Sequence, residues 1–309
     1  MKLVVIGAGG FVGTSVTACL RNMPEIERLT LVDTVPISAS GPKIETLTGD
    51  FADPAIRRRI CDGAEAVICL AAILGGAAEK NYALARRVNL DATLDLVEAL
   101  RDTRPETRFV FASTIAVYAM PLPDPVTDAT PLRPAMVYGA QKLMMEVALS
   151  NLAARGELDA VSLRPSGIMA RDGADAALKS AFMSRLFWCI KRGEDIVLPV
   201  AEENRTWLSS VRNVAANFVH AAMLPEIGSV RAFTLPALSM CYGELVEALR
   251  RRFPSSRSKI RFSPEPELAA LFGNYPRLVT ETADRLGFTR DADVEALVRN
   301  AMIEEEEIR

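Results

Sequence analysis

The sequence predicts an α/β fold, a doubly wound parallel sheet with a smaller, interleaved C-terminal substrate domain. Three observations predict it. Short apolar strands alternate with helical segments up to about residue 120. A glycine-rich turn, Gly7-Ala8-Gly9-Gly10-Phe11-Val12-Gly13, joins the first strand to the first helix. The 309 residues are 50% hydrophobic and 24% charged, a globular balance with enough apolar mass for a large core.

The strands come first. Leu3–Ile6, Leu29–Val32, Ala66–Leu70 and Arg108–Phe111 are unbroken apolar runs. Such runs have no polar face, so both faces must be covered, as in a parallel sheet. Helical segments near Val12–Arg21 and Tyr82–Arg101 supply the crossovers, which run right-handed. A further strand ends near Asp50, and another covers Ala160–Arg164. Beyond it the alternation weakens. Residues 171–204 read as a helix with an excursion, Val211–Met223 as a helix, Arg231–Leu235 as a strand and Gly243–Arg252 as a helix. The predicted division assigns 1–170 and 205–236 to a dinucleotide domain, and 171–204 and 237–309 to a substrate domain. The run Glu304–Glu307 predicts a solvated end.

Composition excludes several function classes. With 36 basic and 39 acidic residues the net charge is −3, which offers no global field for a nucleic acid. No apolar run approaches the ~20 residues of a membrane helix. Five scattered cysteines and one histidine build no metal site. Inert thiols fit a reducing cytoplasm.

The turn at residues 7–13 has the spacing Gly-x-x-Gly-x-x-Gly after a strand and before a helix. That context lets a pyrophosphate approach the backbone at a helix N-terminus. Asp33, about twenty residues on, can accept from ribose hydroxyls and repel a 2′-phosphate, so NAD is expected over NADP. Asp50 lies where an adenine contact is expected.

Tyr138-Gly139-Ala140-Gln141-Lys142 places a phenol and an ammonium on one helix face. The expectation is that Lys142 draws the Tyr138 pKa below its free value near ~10, so that Tyr138 removes a hydroxyl proton. Ser113 and Thr114 follow a strand and are expected to offer a hydroxyl to the substrate. Arg205, with Arg171 as a second candidate, is expected to clamp a carboxylate or phosphate. Trp207 and His220 read as packing residues.

These motifs, with Leu70-Ala71-Ala72 and Val88-Asn89-Leu90-Asp91-Ala92-Thr93, occur in an order that resembles the extended short-chain dehydrogenase/reductase superfamily, the NAD-dependent epimerase/dehydratase group. The resemblance implies a Rossmann-like fold with Thr114, Tyr138 and Lys142 as catalytic residues. It implies NAD held by Gly7, Gly10, Phe11, Val12, Gly13, Asp33, Asp50 and Phe51. Leu70, Ala71, Ala72, Asn89, Tyr138, Lys142 and Pro165 complete that site. The family's usual Gly after Val-Tyr is Ala119 here.

Ile115-Ala116 replaces the Asp-Glu of the family's dehydratases, which argues against dehydration. Leu70–Glu79, Pro121–Asp124, Arg205–Ser210 with Arg212, and Leu286–Phe288 look like the D-erythronate dehydrogenase-like branch. That similarity implies oxidation of a small polyhydroxy acid with NAD. The alternative is a nucleotide-sugar epimerase using the same Thr, Tyr and Lys. The resemblance also implies a homodimer through a four-helix bundle, with Leu94, Val97, Leu100, Leu143 and Val147 as its apolar positions.

Overall fold

A computed structural model describes residues 1–173 and 179–302. The Glu304–Glu307 run lies outside the described residues, as does the 174–178 part of the predicted substrate domain. The chain runs β1 (Lys2–Ile6), α1 (Phe11–Leu20), β2 (Arg28–Asp33), β3 (Ile44–Thr48), α2 (Pro54–Cys61), β4 (Ala66–Cys69), α3 (Gly75–Lys80) and α4 (Tyr82–Arg86). There follow α5 (Ala92–Thr103), β5 (Arg108–Ala112), α6 (Val137–Ala154), β6 (Asp159–Arg164), β7 (Gly167–Ile168), α7 (Ala181–Arg192), β8 (Ile196–Leu198) and β9 (Arg205–Ser209). Then come α8 (Val211–Met223), β10 (Ala232–Thr234), β11 (Leu238–Cys241), α9 (Tyr242–Arg252), β12 (Ile260–Phe262), α10 (Pro266–Phe272), α11 (Glu281–Arg285) and α12 (Val294–Ala301).

The large sheet has seven strands in the order β10-β6-β5-β4-β1-β2-β3, all parallel. The order reverses between β1 and β4, and ligands bind at such a switch point, outside the carboxyl ends of the strands. The apolar runs bury both faces by alternation. Leu3, Val5, Ile68 and Val110 join the layer of α1 and α8. Val4, Ile6, Val67, Phe109 and Phe111 join the layer of α2, α5 and α6.

The helix expected over Tyr82–Arg101 is broken. A π-helical turn at Arg87–Asp91 separates α4 from α5. Asn89 sits in it, buried, with its side chain tied to both the amide and the carbonyl of Ile73 (2.8 and 3.0 Å). Val97 and Leu100 of α5 pack fully into the sheet layer, while Val147 of α6 is 64% exposed.

The C-terminal lobe has two small sheets. One has the order β11-β9-β7 and the other pairs β12 with β8. β9 (205–209) thus pairs outside the large sheet, although the sequence grouped residues 205–236 with it. A separate core of Phe182, Leu186, Phe187, Leu208, Tyr242, Leu245 and Leu297 fills this lobe. Trp207 and His220 are packing residues, bonded to the carbonyls of Pro276 and Leu286 (2.7 and 2.8 Å).

Candidate active site

A cleft of about 880 Å³ lies at the carboxyl ends of the large sheet. Gly7, Gly10, Phe11, Val12 and Gly13 form its floor, Asp33, Asp50 and Phe51 one end, and Leu70, Ala71, Ala72 and Pro165 its walls. Tyr138, Ser113, Ala170 and Arg171 line it as well.

The residues present suit a dinucleotide. The first turn of a helix leaves amides without intrahelical acceptors, here those of Phe11, Val12 and Gly13. No acidic side chain stands in that turn of α1 to compete with an anion. A methyl group at position 13 would stand 2.1 Å from the Gly7 carbonyl oxygen, so only glycine lets α1 begin this close to β1. Asp33 faces the cleft and accepts from the Gly9 amide (2.9 Å), which binds the turn to the end of β2. Asp50 accepts from Ala52 (3.0 Å) and from Arg87 (2.9 Å), and Arg87 also lines the cleft. No motif in the sequence marks Arg87.

Tyr138 is presented by the first turn of α6. This helix has no side-chain cap of its own; Glu79 of α3 accepts from the Val137 amide (2.6 Å) instead. Its second residue after the start, Gly139, lies against the turn at 115–117. A methyl group there would stand 2.2 Å from the Ala116 carbonyl oxygen. Glycine therefore allows the Tyr138 turn to seat beside Thr114.

Thr114 accepts from the Ala116 amide (3.1 Å), capping a short 3₁₀ turn, and its hydroxyl lies near enough to Tyr138 to favour the phenolate. Lys142 is 1% exposed, with its ammonium 4.2 Å from the centre of the Phe111 ring and 5.8 Å from that of Tyr138. Burial pushes Lys142 down to about 8, against the charges of Cys69 and Glu146.

Four expectations need correction. Lys142 does not bring Tyr138 below its ordinary value: burial pushes the phenol up to about 12, and Arg171 and the Thr114 hydroxyl oppose that rise. Desolvation of the phenolate outweighs the neighbouring charge. Ser113 is 3% exposed and donates its hydroxyl to Glu146, so it offers the cleft a wall and no free hydroxyl. Asn89 does not line the cleft; it fastens the 70–74 loop and bonds Gln141 (2.8 Å). Arg205 is exposed at the start of β9, bonded to the Ser239 carbonyl (3.3 Å). Only the opposite end of β9, Leu208–Ser209, meets β7 beside the cleft.

Arg171 takes the place expected of Arg205. It follows β7, and its guanidinium lies 5.4 Å from the centre of the Phe11 ring, close enough to Tyr138 to act on its charge. The bend that aims it is anchored on α7. Ala170 has φ of 65°, and its carbonyl accepts from Trp188 Nε1 (3.0 Å); Asp172 pairs with Arg192 (2.6 Å). Among the described residues no cluster of metal-ligating side chains occurs, and no helix is long and apolar enough to cross a membrane.

The sequence profile of the NAD dependent epimerase/dehydratase family matches residues 3–231. The chain is 34% identical to a D-erythronate dehydrogenase of Cupriavidus necator, over 98% of this chain and 98% of that protein. It is 30% identical to a D-erythronate dehydrogenase of Haemophilus influenzae, over 97% and 98%. Among solved structures, a nucleoside-diphosphate-sugar epimerase of Agrobacterium tumefaciens superposes with a TM-score of 0.85 at 31% identity, covering 96% of this chain and 92% of that one.

Proposed function

The chain belongs to the NAD dependent epimerase/dehydratase family, and on that premise we propose that it is a dehydrogenase. It oxidises a hydroxyl of a small polyhydroxy acid such as D-erythronate, with NAD as cofactor and Tyr138 as general base. The observation that carries this reading is that Arg171 and Tyr138 line the dinucleotide cleft together, with the Thr114 hydroxyl beside Tyr138. A fixed cation beside a phenol matches a substrate with a carboxylate next to its reacting hydroxyl. The full-length similarity to two D-erythronate dehydrogenases supports the same choice.

NAD, when bound, supplies the hydride acceptor. Phe11, Val12 and Gly13 hold its pyrophosphate, and Asp33 its adenine-side ribose. Arg171 engages the substrate carboxylate through two parallel hydrogen bonds. Thr114 and Tyr138 grip the reacting hydroxyl, and Tyr138 takes its proton as the carbonyl forms. Lys142 and Arg171 supply the positive charge that favours the phenolate.

The deciding assay is NADH absorbance with NAD and a panel of erythronate, threonate, hexuronates and simple 2-hydroxy acids. NADH formed with a sugar acid is the expected result. Silence across the panel, with interconversion of UDP-sugars by the same sample, overturns this reading in favour of an epimerase. The similarity to the Agrobacterium tumefaciens protein makes that second reading concrete. A homodimer through α5 and α6 fits the exposed Met144 and Val147 on α6, 56% and 64% exposed. A reducing cytoplasm fits the five unpaired cysteines.

A further inference from the structure

Beneath Tyr138 lies a charged pair that the reaction as described does not use. Glu146 stands one helical turn after Lys142 and two after Tyr138, on one face of α6. Its carboxylate accepts from Arg164 Nε (2.8 Å) and Nη2 (2.6 Å), and from the Ser113 hydroxyl. The two charged side chains are 2% and 6% exposed. Arg164 ends β6 and reaches Tyr118, whose hydroxyl meets that of Thr234 (2.7 Å). Ser113 directly follows β5 and precedes Thr114. One carboxylate on α6 thus joins the end of β6 to the turn that follows β5.

We propose that Glu146 is a positioning residue, a buried carboxylate that ties Arg164 to the Ser113–Thr114 turn under Tyr138, one helical turn from Lys142. A buried ion pair is weak support for stability, because apolar residues of the same volume often serve as well or better. What this pair holds explains it better. The groups facing Lys142 are Cys69 from β4, the Phe111 ring from β5, and Tyr138 and Glu146 from its own helix; Arg164 of β6 faces Glu146. Burial works against the Lys142 ammonium, and Cys69 and the Glu146 carboxylate oppose this.

The inference rests on reading the cleft as a dinucleotide site, and on no particular substrate. Its test therefore measures NADH affinity by fluorescence from pH 6 to 10, so a failed sugar-acid assay leaves it standing. Wild-type affinity is expected to hold to near pH 8 and weaken above it. In Glu146→Gln the weakening is expected to begin about one pH unit lower, a tenfold change in proton affinity. Glu146→Asp keeps the charge and should restore most of the wild-type onset. Because Glu146→Gln leaves Arg164 unpaired, the double variant Glu146→Gln/Arg164→Gln serves where the single one does not fold, with the same shift expected. A folded variant with the wild-type onset, or with an equal loss at every pH, overturns the proposal. A double variant that cannot fold assigns the pair to stability alone and also overturns it.

Discussion

Replacing Arg171 with Gln tests the substrate assignment most directly. Arg171 lines the cleft with Tyr138 and Phe11 beside its guanidinium. Two effects follow from its loss. The first is a lost pairing with the substrate carboxylate. A hydrogen bond to a charged group contributes about 1.5–3 kcal/mol, so KM for the acid should rise roughly 10- to 150-fold. The second is a lost charge beside Tyr138, whose phenol already sits at about 12. Without Arg171 the phenolate is harder to form, so kcat should also fall. Arg171→Lys restores the charge but not the two-pronged geometry, so it should recover kcat more than KM. The assay is initial NADH formation at varied acid, with NADH affinity measured alongside by fluorescence. NADH affinity within about twofold of wild type is expected. A variant that loses NADH affinity while keeping its KM for the acid refutes the reasoning, because Arg171 would then serve the cofactor's pyrophosphate.

Other outcomes follow from the same geometry. Tyr138→Phe should keep NADH affinity and lose about 10²- to 10⁴-fold in kcat, the usual worth of a general base; unchanged turnover removes Tyr138 from the mechanism. Oxidation should speed up with pH below about 8, because a phenol near 12 is protonated throughout that range, and level off as Lys142 loses its proton near 8. A flat kcat/KM from pH 6 to 8 contradicts this. Lys142→Met should raise the melting temperature at pH 7. Lys142 falls from its ordinary 10.5 to about 8 on folding, so its ammonium costs up to about 3 kcal/mol below pH 8. That cost is relieved as pH rises from 8 to 10.5, so the variant's gain should vanish near pH 10.5. A pH-independent loss of stability would show that the ammonium's contact with Phe111 outweighs its burial.

What the sequence made legible follows from where each signal resides. A strand buried on both faces writes itself as continuous Val, Ile, Leu and Phe, so β1, β2, β4, β5 and β6 stood out. The glycine turn was legible because its strand and helix flank it directly. The β7, β8, β11 and β12 strands are two to four residues long and carry no period to detect. The π turn at Arg87–Asp91 was hidden because the tie that accompanies it, from Asn89 to Ile73 and Gln141, spans distant parts of the chain. The place of Arg205 outside the cleft is hidden from the sequence for a similar reason. The pairing of β7 with the far end of β9 leaves Arg205 outside the cleft, and no local pattern states that pairing.

The misjudged proton affinity of Tyr138 has a more general cause. Spacing along a helix reports which charges are near, and it is silent on how much water the fold removes. Here the same burial raises Tyr138 and lowers Lys142, so both groups are driven toward their neutral forms. The charges that resist this arrive from separate parts of the chain: Glu146 from further along α6 and Arg171 from the bend after β7. Tyr138 is thus held on α6 against the large sheet, while Arg171, the cation that favours its ionised form, is aimed by the small lobe through Trp188 and Arg192. A substrate carboxylate that draws on Arg171 would also reduce the charge acting on Tyr138. On the proposed reading Lys142 must then carry the phenolate, which would give the carboxylate beneath it a part in the chemistry as well as in the packing.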